Sequence, residues 1–117
     1  MKDYSLLELE QMLYNLCHHC EKADGEFIKA ENDFELLNDV KSIVFEQIVD
    51  KQPEGKTNLR EHNARLSDEW IEWIKTFGVI RYEKKKAGLK RDKYRREYTT
   101  CQMILSTRKA ELKTLLT

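Results

Sequence analysis

The sequence has few residues that break helices and no segment that could cross a membrane. Its 117 residues include 1 proline, 4 glycines and 3 cysteines. The odd number of cysteines argues against a disulfide framework, and no secretory apolar segment follows Met1. Since no apolar run is long enough to span a bilayer, we expect a reduced, cytoplasmic protein without membrane contact.

Charged residues make up 36% of the chain and hydrophobic residues 40%. This balance, together with the low glycine and proline content, is unusual for a compact globule and typical of long helices and coiled coils. Such a protein buries a narrow apolar seam and not a broad core. At this length we expect a single domain over residues 1–117.

The only proline lies in a corner at residues 51–57. Proline lacks a backbone donor and clashes with the preceding turn, so a helix that reaches the corner should end before Pro53. Gly55 permits a positive φ for the chain reversal, and Thr57 or Asn58 can cap the next helix. The corner therefore divides the chain into two helical arms.

The first arm, about residues 4–50, should begin at a capping box formed by Ser5 and Glu8. Five heptads then predict a helix, in which Gly25 marks a weak point. One seam position holds Leu6, Leu13, Cys20, Phe27 and Phe34, and the other holds Leu9, Leu16, Ala23, Ala30, Leu37 and Val44. Residues 43–49 also fit a buried strand, but we favour a helix because no second strand candidate exists.

The second arm, about residues 58–116, has the same period. One seam position holds Leu59, Leu66, Trp73, Ile80, Ala87, Tyr94, Cys101, Arg108 and Leu115, and the other holds Asn63, Trp70, Phe77, Lys84, Arg91, Tyr98, Leu105 and Leu112. A single helix of roughly 90 Å would result at about 1.5 Å per residue, with a bend or a change of partner near Gly78 or Gly88.

Folding the arms together about the corner predicts an all-α, antiparallel helical hairpin or coiled coil. The predicted register pairs Val44 with Leu66, Phe34 with Trp73, and Phe27 with Ile80. In this register the longer second arm leaves four leucines uncovered. They are Leu105, Leu112, Leu115 and Leu116. Exposed apolar patches usually bind a partner, so we expect self-association through these leucines, most simply as a homodimer.

The two arms carry opposite charge: residues 1–50 contain 4 Lys and 12 Asp/Glu, and residues 51–117 contain 17 Lys/Arg and 9 Asp/Glu. The second arm includes a basic run. Its members are Arg81, Lys84, Lys85, Lys86, Lys90, Arg91, Lys93, Arg95 and Arg96. On one interpretation this run pairs with the acidic first arm. On the other it neutralises the backbone of DNA or RNA, while Tyr82 or Tyr94 stacks on a base.

Other motifs carry little chemistry. Residues 50–57 end in Gly-Lys-Thr like a phosphate-binding loop, but an aspartate stands where that loop needs its first glycine. Residues 17–20 read Cys-His-His-Cys, and on a helix only Cys17 and Cys20 share a face, whereas a structural zinc needs four converging ligands. We therefore expect no cofactor, no metal and no catalytic residues, so the sequence does not predict an enzyme.

Three short motifs give the chain a resemblance to a known group. They are Gly55-Lys56-Thr57, Arg60-Glu61-His62-Asn63-Ala64 and Leu105-Ser106-Thr107-Arg108. Together with an acidic first helix and a basic last helix, they resemble small orphan proteins encoded by tailed bacteriophages, often among early genes near recombination functions. This chain departs from the group in its two tryptophans and its Cys-His-His-Cys. The group has no established activity, so the resemblance implies a setting and no mechanism.

These observations favour a non-enzymatic accessory protein of a phage or mobile element that acts by binding another protein in the host cytoplasm. The expected target is a host defence factor or a replication or recombination component. The alternative is a helical protein that binds nucleic acid through the basic run at residues 81–96. A structural scaffold or spacer also fits the sequence.

Overall fold

The computed structural model describes residues 4–116, and these residues form three α-helices. The helices are α1 (Leu6–Asp50), α2 (Thr57–Leu66) and α3 (Asp68–Leu116). Within the described part of the chain there is no strand, and residues 43–49 lie inside α1. No helix in this part is both long and apolar enough to span a membrane. The all-α prediction is confirmed.

Side-chain hydrogen bonds define both ends of α1. The Glu8 backbone N–H donates to Ser5 Oγ at 3.1 Å, and the Ser5 N–H donates to Glu8 Oε1 at 3.5 Å. The predicted capping box is therefore confirmed. At the other end, Arg60 Nη2 donates to the carbonyl oxygens of Val49 and Asp50, both at 3.3 Å. These bonds satisfy carbonyls that the end of a helix leaves without an intrahelical partner.

The corner differs from its prediction in two details. No described residue has a positive φ, so Gly55 does not adopt the left-handed conformation, and residues 51–56 reverse the chain with ordinary backbone angles. Neither Thr57 nor Asn58 caps α2, because the N-cap residue is Lys56, and its side chain makes no capping hydrogen bond. The start of α2 therefore depends on backbone bonds and packing.

Ser67 interrupts the second arm, which we predicted as one helix. Its backbone is extended, with φ −69° and ψ 146°. Its hydroxyl donates to the Ala64 carbonyl at 2.6 Å and accepts from the Trp70 backbone N–H at 3.2 Å. Asp68 and Glu69 add negative charge to the first turn of α3, where the helix dipole favours it. Ser67 thus ends α2 and caps α3.

α3 then continues without a break through Gly78 and Gly88. The bend or change of partner predicted near these glycines stays a prediction, because an unbroken helix can still curve. Charge in the seam does not disrupt packing here, because the guanidinium carbon of Arg91 lies 3.8 Å from the ring centroid of Phe27. A cation in that position is attracted to the ring by about 0.5 to 2 kcal/mol, so a charged seam residue still contributes to the contact between helices.

The contacts divide the chain into two compact units. The described part of the first unit is residues 4–27 with residues 87–116, and the second unit is Ile28–Lys86. In each unit a stretch of α1 packs against an antiparallel stretch of α3, which confirms the predicted helical hairpin. The assignment of the whole chain to one domain stays a prediction.

The core of the first unit is mostly aliphatic. Leu9, Cys101 and Leu105 are buried, with relative exposures of 1%, 4% and 7%. Partly buried side chains pack around them: Tyr4, Leu6, Met12, Leu13, Leu16 and Ile104. Burial of such side chains is the main term that holds a two-helix contact together, at about 25 cal/mol per Å² of apolar surface.

The second unit is held by a row of aromatic rings. The ring centroids of Phe45 and Trp70 are 4.9 Å apart. Trp70 stacks on Trp73, and Trp73 stacks on Phe77, each at 5.3 Å between centroids. Phe77 in turn contacts Phe34 at 5.3 Å with the ring planes tilted by 31°. Aromatic pairs at these distances add about 0.5 to 1.5 kcal/mol each beyond the burial of their area. Other buried side chains in this unit are Ile48 and Ala64.

The helices meet in a register that differs from the predicted one. Predicted pairs are Val44 with Leu66, Phe34 with Trp73, and Phe27 with Ile80. Phe34 instead contacts Phe77, one turn further along, and Phe27 lies against Gly88. Leu66 is 64% exposed and does not enter the seam. The shift arises because α2 is a separate helix, so the reversal uses more residues than the corner alone.

Candidate interaction surfaces

Two cations of the basic run pair with acidic residues of α1 in the first unit. Lys90 Nζ lies 3.0 Å from Glu26 Oε2, and Arg95 Nη2 lies 3.0 Å from Asp24 Oδ1. All four side chains are partly open to solvent, so each pair contributes at most about 1 kcal/mol. These contacts support the interpretation that part of the run neutralises the acidic arm.

Four further cations lie over aromatic rings. The pairs, as distances from cation to ring centroid, are Arg91 with Phe27 (3.8 Å), Lys84 with Phe34 (4.4 Å), Arg81 with Phe77 (5.6 Å) and Lys93 with Tyr94 (5.7 Å). Lys84 and Arg91 are half-buried at the seam, and Arg91 Nε also bonds to Asp92 Oδ1 at 3.3 Å. These two cations are engaged within their units and are poorly placed to contact a ligand.

Three cations of the run are exposed and make no hydrogen bond, ion pair or ring contact with another described residue. They are Lys85, Lys86 and Arg96. Of the two tyrosines in the run, Tyr82 is 62% exposed, whereas Tyr94 stacks on His19 at 5.0 Å between centroids. The structure therefore divides the predicted nucleic-acid site: about half of its members pack against α1, and the rest face solvent.

The first unit also has an open groove of about 690 Å³ between α1 and α3. Met12, Leu16 and Ile104 give it apolar walls, and Lys93 and Arg96 also line it. Apolar side chains at the edge of the small core are therefore accessible to solvent in this groove. It has the form of a surface depression and does not enclose a small molecule.

The four leucines predicted for self-association lie in different environments. Leu105 is buried against Leu9 and Cys101, so its assignment to an exposed surface is wrong, because the observed register places it opposite the start of α1. The others are exposed: Leu112 by 44%, Leu115 by 83% and Leu116 by 80%. We call these three residues the exposed end of α3.

The exposed end of α3 follows two residues, Arg108 and Lys109, that contact the start of the described chain. Arg108 Nη1 donates to the Tyr4 carbonyl at 2.7 Å, and Lys109 Nζ lies 3.7 Å from Glu10 Oε1. From there α3 continues to Leu116, so its final two turns present leucines to solvent.

The Cys-His-His-Cys motif does not converge on one point. Cys17 and His18 are exposed, His19 stacks on Tyr94, and Cys20 is half-buried. Among residues 4–116 no three His, Cys, Asp or Glu side chains are grouped so that they could hold a metal ion. The expectation of a metal-free protein stays a prediction.

The cysteines that face the seam have unreactive environments. Burial raises the pKa of the Cys20 thiol, and the carboxylate of Asp24 raises it further. Burial also raises the pKa of Cys101, whose Sγ donates to the Leu9 carbonyl at 3.5 Å. A raised pKa lowers the thiolate fraction, which is the opposite of what an activated nucleophile needs.

The second unit has a further apolar stripe on α3. It is not part of the single seam that we predicted for this arm. Ile71, Ile74 and Tyr82 are 39%, 38% and 62% exposed, and Gly78 lies between them. We call these four residues the outer strip of α3. Their spacing of three, four and four residues is readable in the sequence, because such positions share a helix face.

Comparison with known proteins gives no further assignment: the chain matches no family model, no curated protein and no solved structure.

Proposed function

We propose that the protein is a non-enzymatic binding protein whose partner is another protein, and that the exposed end of α3 is its contact surface. One observation carries the proposal: Leu112, Leu115 and Leu116 are 44%, 83% and 80% exposed within five residues of one helix. Large apolar side chains concentrated at one place on a surface usually mark an interaction site, because water contact costs about 25 cal/mol per Å².

The environments of the potential nucleophiles favour binding over catalysis. The pKa values of Cys20 and Cys101 are raised by burial, and both thiols face the seam between helices. An enzyme of the acyl-transfer or thiol class would need a lowered thiol pKa beside a base.

The resemblance to phage orphan proteins supports a setting for this binding. In that setting the chain is an accessory protein of a phage or mobile element, and its target is a host defence factor or a replication or recombination component in the host cytoplasm. A homodimer is part of the proposal, since a two-helix hairpin buries little apolar surface alone. Among residues 4–116 only seven apolar side chains are buried, and two of those in the first unit are alanine or cysteine.

The test is capture of partners from a lysate of a bacterial host, with nuclease added to remove nucleic-acid bridges. The double variant Leu115→Gln, Leu116→Gln should lose the proteins that the wild type retains, because both leucines supply exposed apolar area. Leu89→Gln is the matched control, since Leu89 is 63% exposed on the same helix and in the same unit. The proposal is wrong if the double variant retains the same set of proteins as the control.

Nucleic-acid binding is the second candidate, and the exposed cations Lys85, Lys86 and Arg96 favour it. Fluorescence anisotropy with labelled single- and double-stranded oligonucleotides tests it at several salt concentrations. Changing the three cations to glutamate should weaken binding and reduce the salt slope by about 2 to 3, at roughly 0.9 per phosphate contact.

A matched control for this candidate is Lys22→Glu with Lys29→Glu, which reverses two exposed charges on α1. This pair should leave the affinity nearly unchanged. Equal affinity of the wild type and the triple glutamate variant would exclude the basic run as a nucleic-acid site.

A further inference from the structure

α3 has apolar side chains on two sides within the second unit. Trp73 and Phe77 face the seam, and Phe77 is only 5% exposed. The outer strip lies on a different side of the same helix, with Ile71 39%, Ile74 38% and Tyr82 62% exposed. A helix that packs against one neighbour usually has one apolar stripe, so packing within the unit does not account for the second.

Gly78, in the middle of the strip, has no packing role within the unit. A glycine inside a helix costs about 1 kcal/mol relative to alanine. A Cβ added at Gly78 would meet nothing within 4 Å, whereas one at Gly88 would lie 3.3 Å from Phe27 Cε2. The Phe27 ring therefore explains Gly88. At Gly78 the missing side chain leaves room for the backbone of another helix to approach between Ile74 and Tyr82.

The charges beside the outer strip indicate which helix could pack on it and in which orientation. Asp68 lies before the strip and Lys86 after it, and both are exposed. They are 18 residues apart, which is about five helical turns at roughly 3.6 residues per turn, so they lie on the same side of α3. A second α3 that crosses antiparallel near Gly78 would bring its Lys86 to Asp68, and its Asp68 to Lys86. A parallel crossing would instead bring like charges together.

We propose that the outer strip of α3 is a self-association surface for a second copy of this chain. The two α3 helices cross antiparallel at Gly78, and two Asp68–Lys86 ion pairs flank the apolar contact. This surface lies in the second unit and is separate from the exposed end of α3, so the loss of one interaction does not imply the loss of the other.

Sedimentation velocity on the full chain, over a concentration series, tests the apolar contact. Gly78→Gln adds a bulky polar side chain to the crossing point and should raise the dimer dissociation constant at least about tenfold. Gly25→Gln is the matched control, because a Cβ at Gly25 also meets nothing within 4 Å. Both changes should increase helix stability in circular dichroism, so a loss of dimer cannot be attributed to unfolding.

Charge exchange tests the antiparallel register. Asp68→Lys and Lys86→Asp should each weaken the dimer about three- to tenfold, because each places like charges across the contact. An equimolar mixture of the two variants should recover an affinity near that of the wild type, since both contacts of the mixed dimer again join a cation and a carboxylate. One of these pairs is the native pair, and the other has its signs exchanged.

Four results would overturn the proposal. The wild type could remain monomeric up to about 100 μM, a range in which a specific dimer should be detected. Gly78→Gln could dimerise as well as Gly25→Gln, or the mixture could show no recovery. Loss of the dimer in the Leu115→Gln, Leu116→Gln variant would place self-association at the exposed end of α3 instead.

Discussion

The same two helices are held together by different forces in the two units. In the second unit, α1 and α3 meet through tilted ring pairs, Phe45 with Trp70 and Phe34 with Phe77. Stacking of Trp73 on Trp70 and on Phe77 links these pairs along α3. In the first unit, the contact consists of a small aliphatic cluster around Leu9, together with ion pairs at its edge. A uniform heptad pattern therefore does not imply uniform stability along the seam.

The comparison predicts which changes each unit tolerates. A contact made of large rings loses much area when one ring is removed, whereas a contact that depends on exposed ion pairs loses little per pair and is sensitive to salt. Both tryptophans lie in the second unit, at Trp70 and Trp73. Tryptophan emission therefore reports on that unit, while circular dichroism reports on helix in both.

The largest effect is expected for Phe77→Ala. Phe77 is 5% exposed and contacts two other rings, so its removal should lower the free energy of unfolding by about 3 to 5 kcal/mol. Urea denaturation followed by tryptophan emission measures this change. Val79→Ala, at a position 59% exposed on the same helix, should change it by less than about 0.5 kcal/mol. Equal effects of the two changes would contradict the central role of the rings.

A smaller effect is expected for Leu9→Ala in the first unit. Leu9 is 1% exposed, and the loss of its side chain should cost about 2 to 4 kcal/mol. We expect the dichroism midpoint to fall more than the tryptophan midpoint, because Leu9 is remote in sequence from both indoles. Leu7→Ala, at 75% exposure, is the control. A shift of the tryptophan midpoint alone would contradict the assignment of Leu9 to the stability of the first unit.

Ser67→Ala should cost about 1 kcal/mol, since it removes the cap of α3 and leaves the Trp70 N–H without its acceptor. Ser67→Asp should restore part of the loss, because its carboxylate can still accept that bond. The readout is the urea midpoint of tryptophan emission. Ser106→Ala, an exposed serine inside α3, should have no destabilising effect. If Ser67→Ala is as stable as Ser106→Ala, the Ser67 hydroxyl does not stabilise the start of α3.

The smallest effects are expected for Lys90→Gln and Arg95→Gln. Each removes one exposed ion pair and should lower the free energy of unfolding by about 0.2 to 1 kcal/mol at low salt. In about 1 M salt the difference from the wild type should nearly vanish, because screening acts over roughly 3 Å there. Lys85→Gln, at a cation without an ion pair in the described chain, gives the baseline. A salt-independent effect would mean that packing of the side-chain stems, and not charge, stabilises these contacts.

The heptad pattern predicts most of the seam. Predicted seam positions on α3 between Trp70 and Arg108 are buried or half-buried, as are those on α1 from Leu6 to Val44. The break at Ser67 differs from the prediction because it contains neither glycine nor proline, the residues that usually mark the end of a helix. The serine followed by two acidic residues is a helix-start signal that could have revealed it.

The register and the candidate surfaces are harder to predict. The register depends on where α2 ends, and a shift of one turn still places apolar residues opposite apolar residues. We predicted the basic run as one nucleic-acid site because its members are neighbours in sequence. On a helix, neighbours such as Lys84 and Lys85 face different directions, so Lys84 lies over a ring while Lys85 faces solvent.

The division into units also has a consequence for how the chain acquires its structure. The second unit is continuous in sequence, and its contact between Lys51 and Glu69 closes a separation of only 18 residues. The first unit joins residues 92 apart at Cys101 and Leu9. Since the entropy cost of closing a loop grows with its length, the second unit should form first. During synthesis, residues 4–27 leave the ribosome before every other described segment, yet they are among the last to find their helical partner.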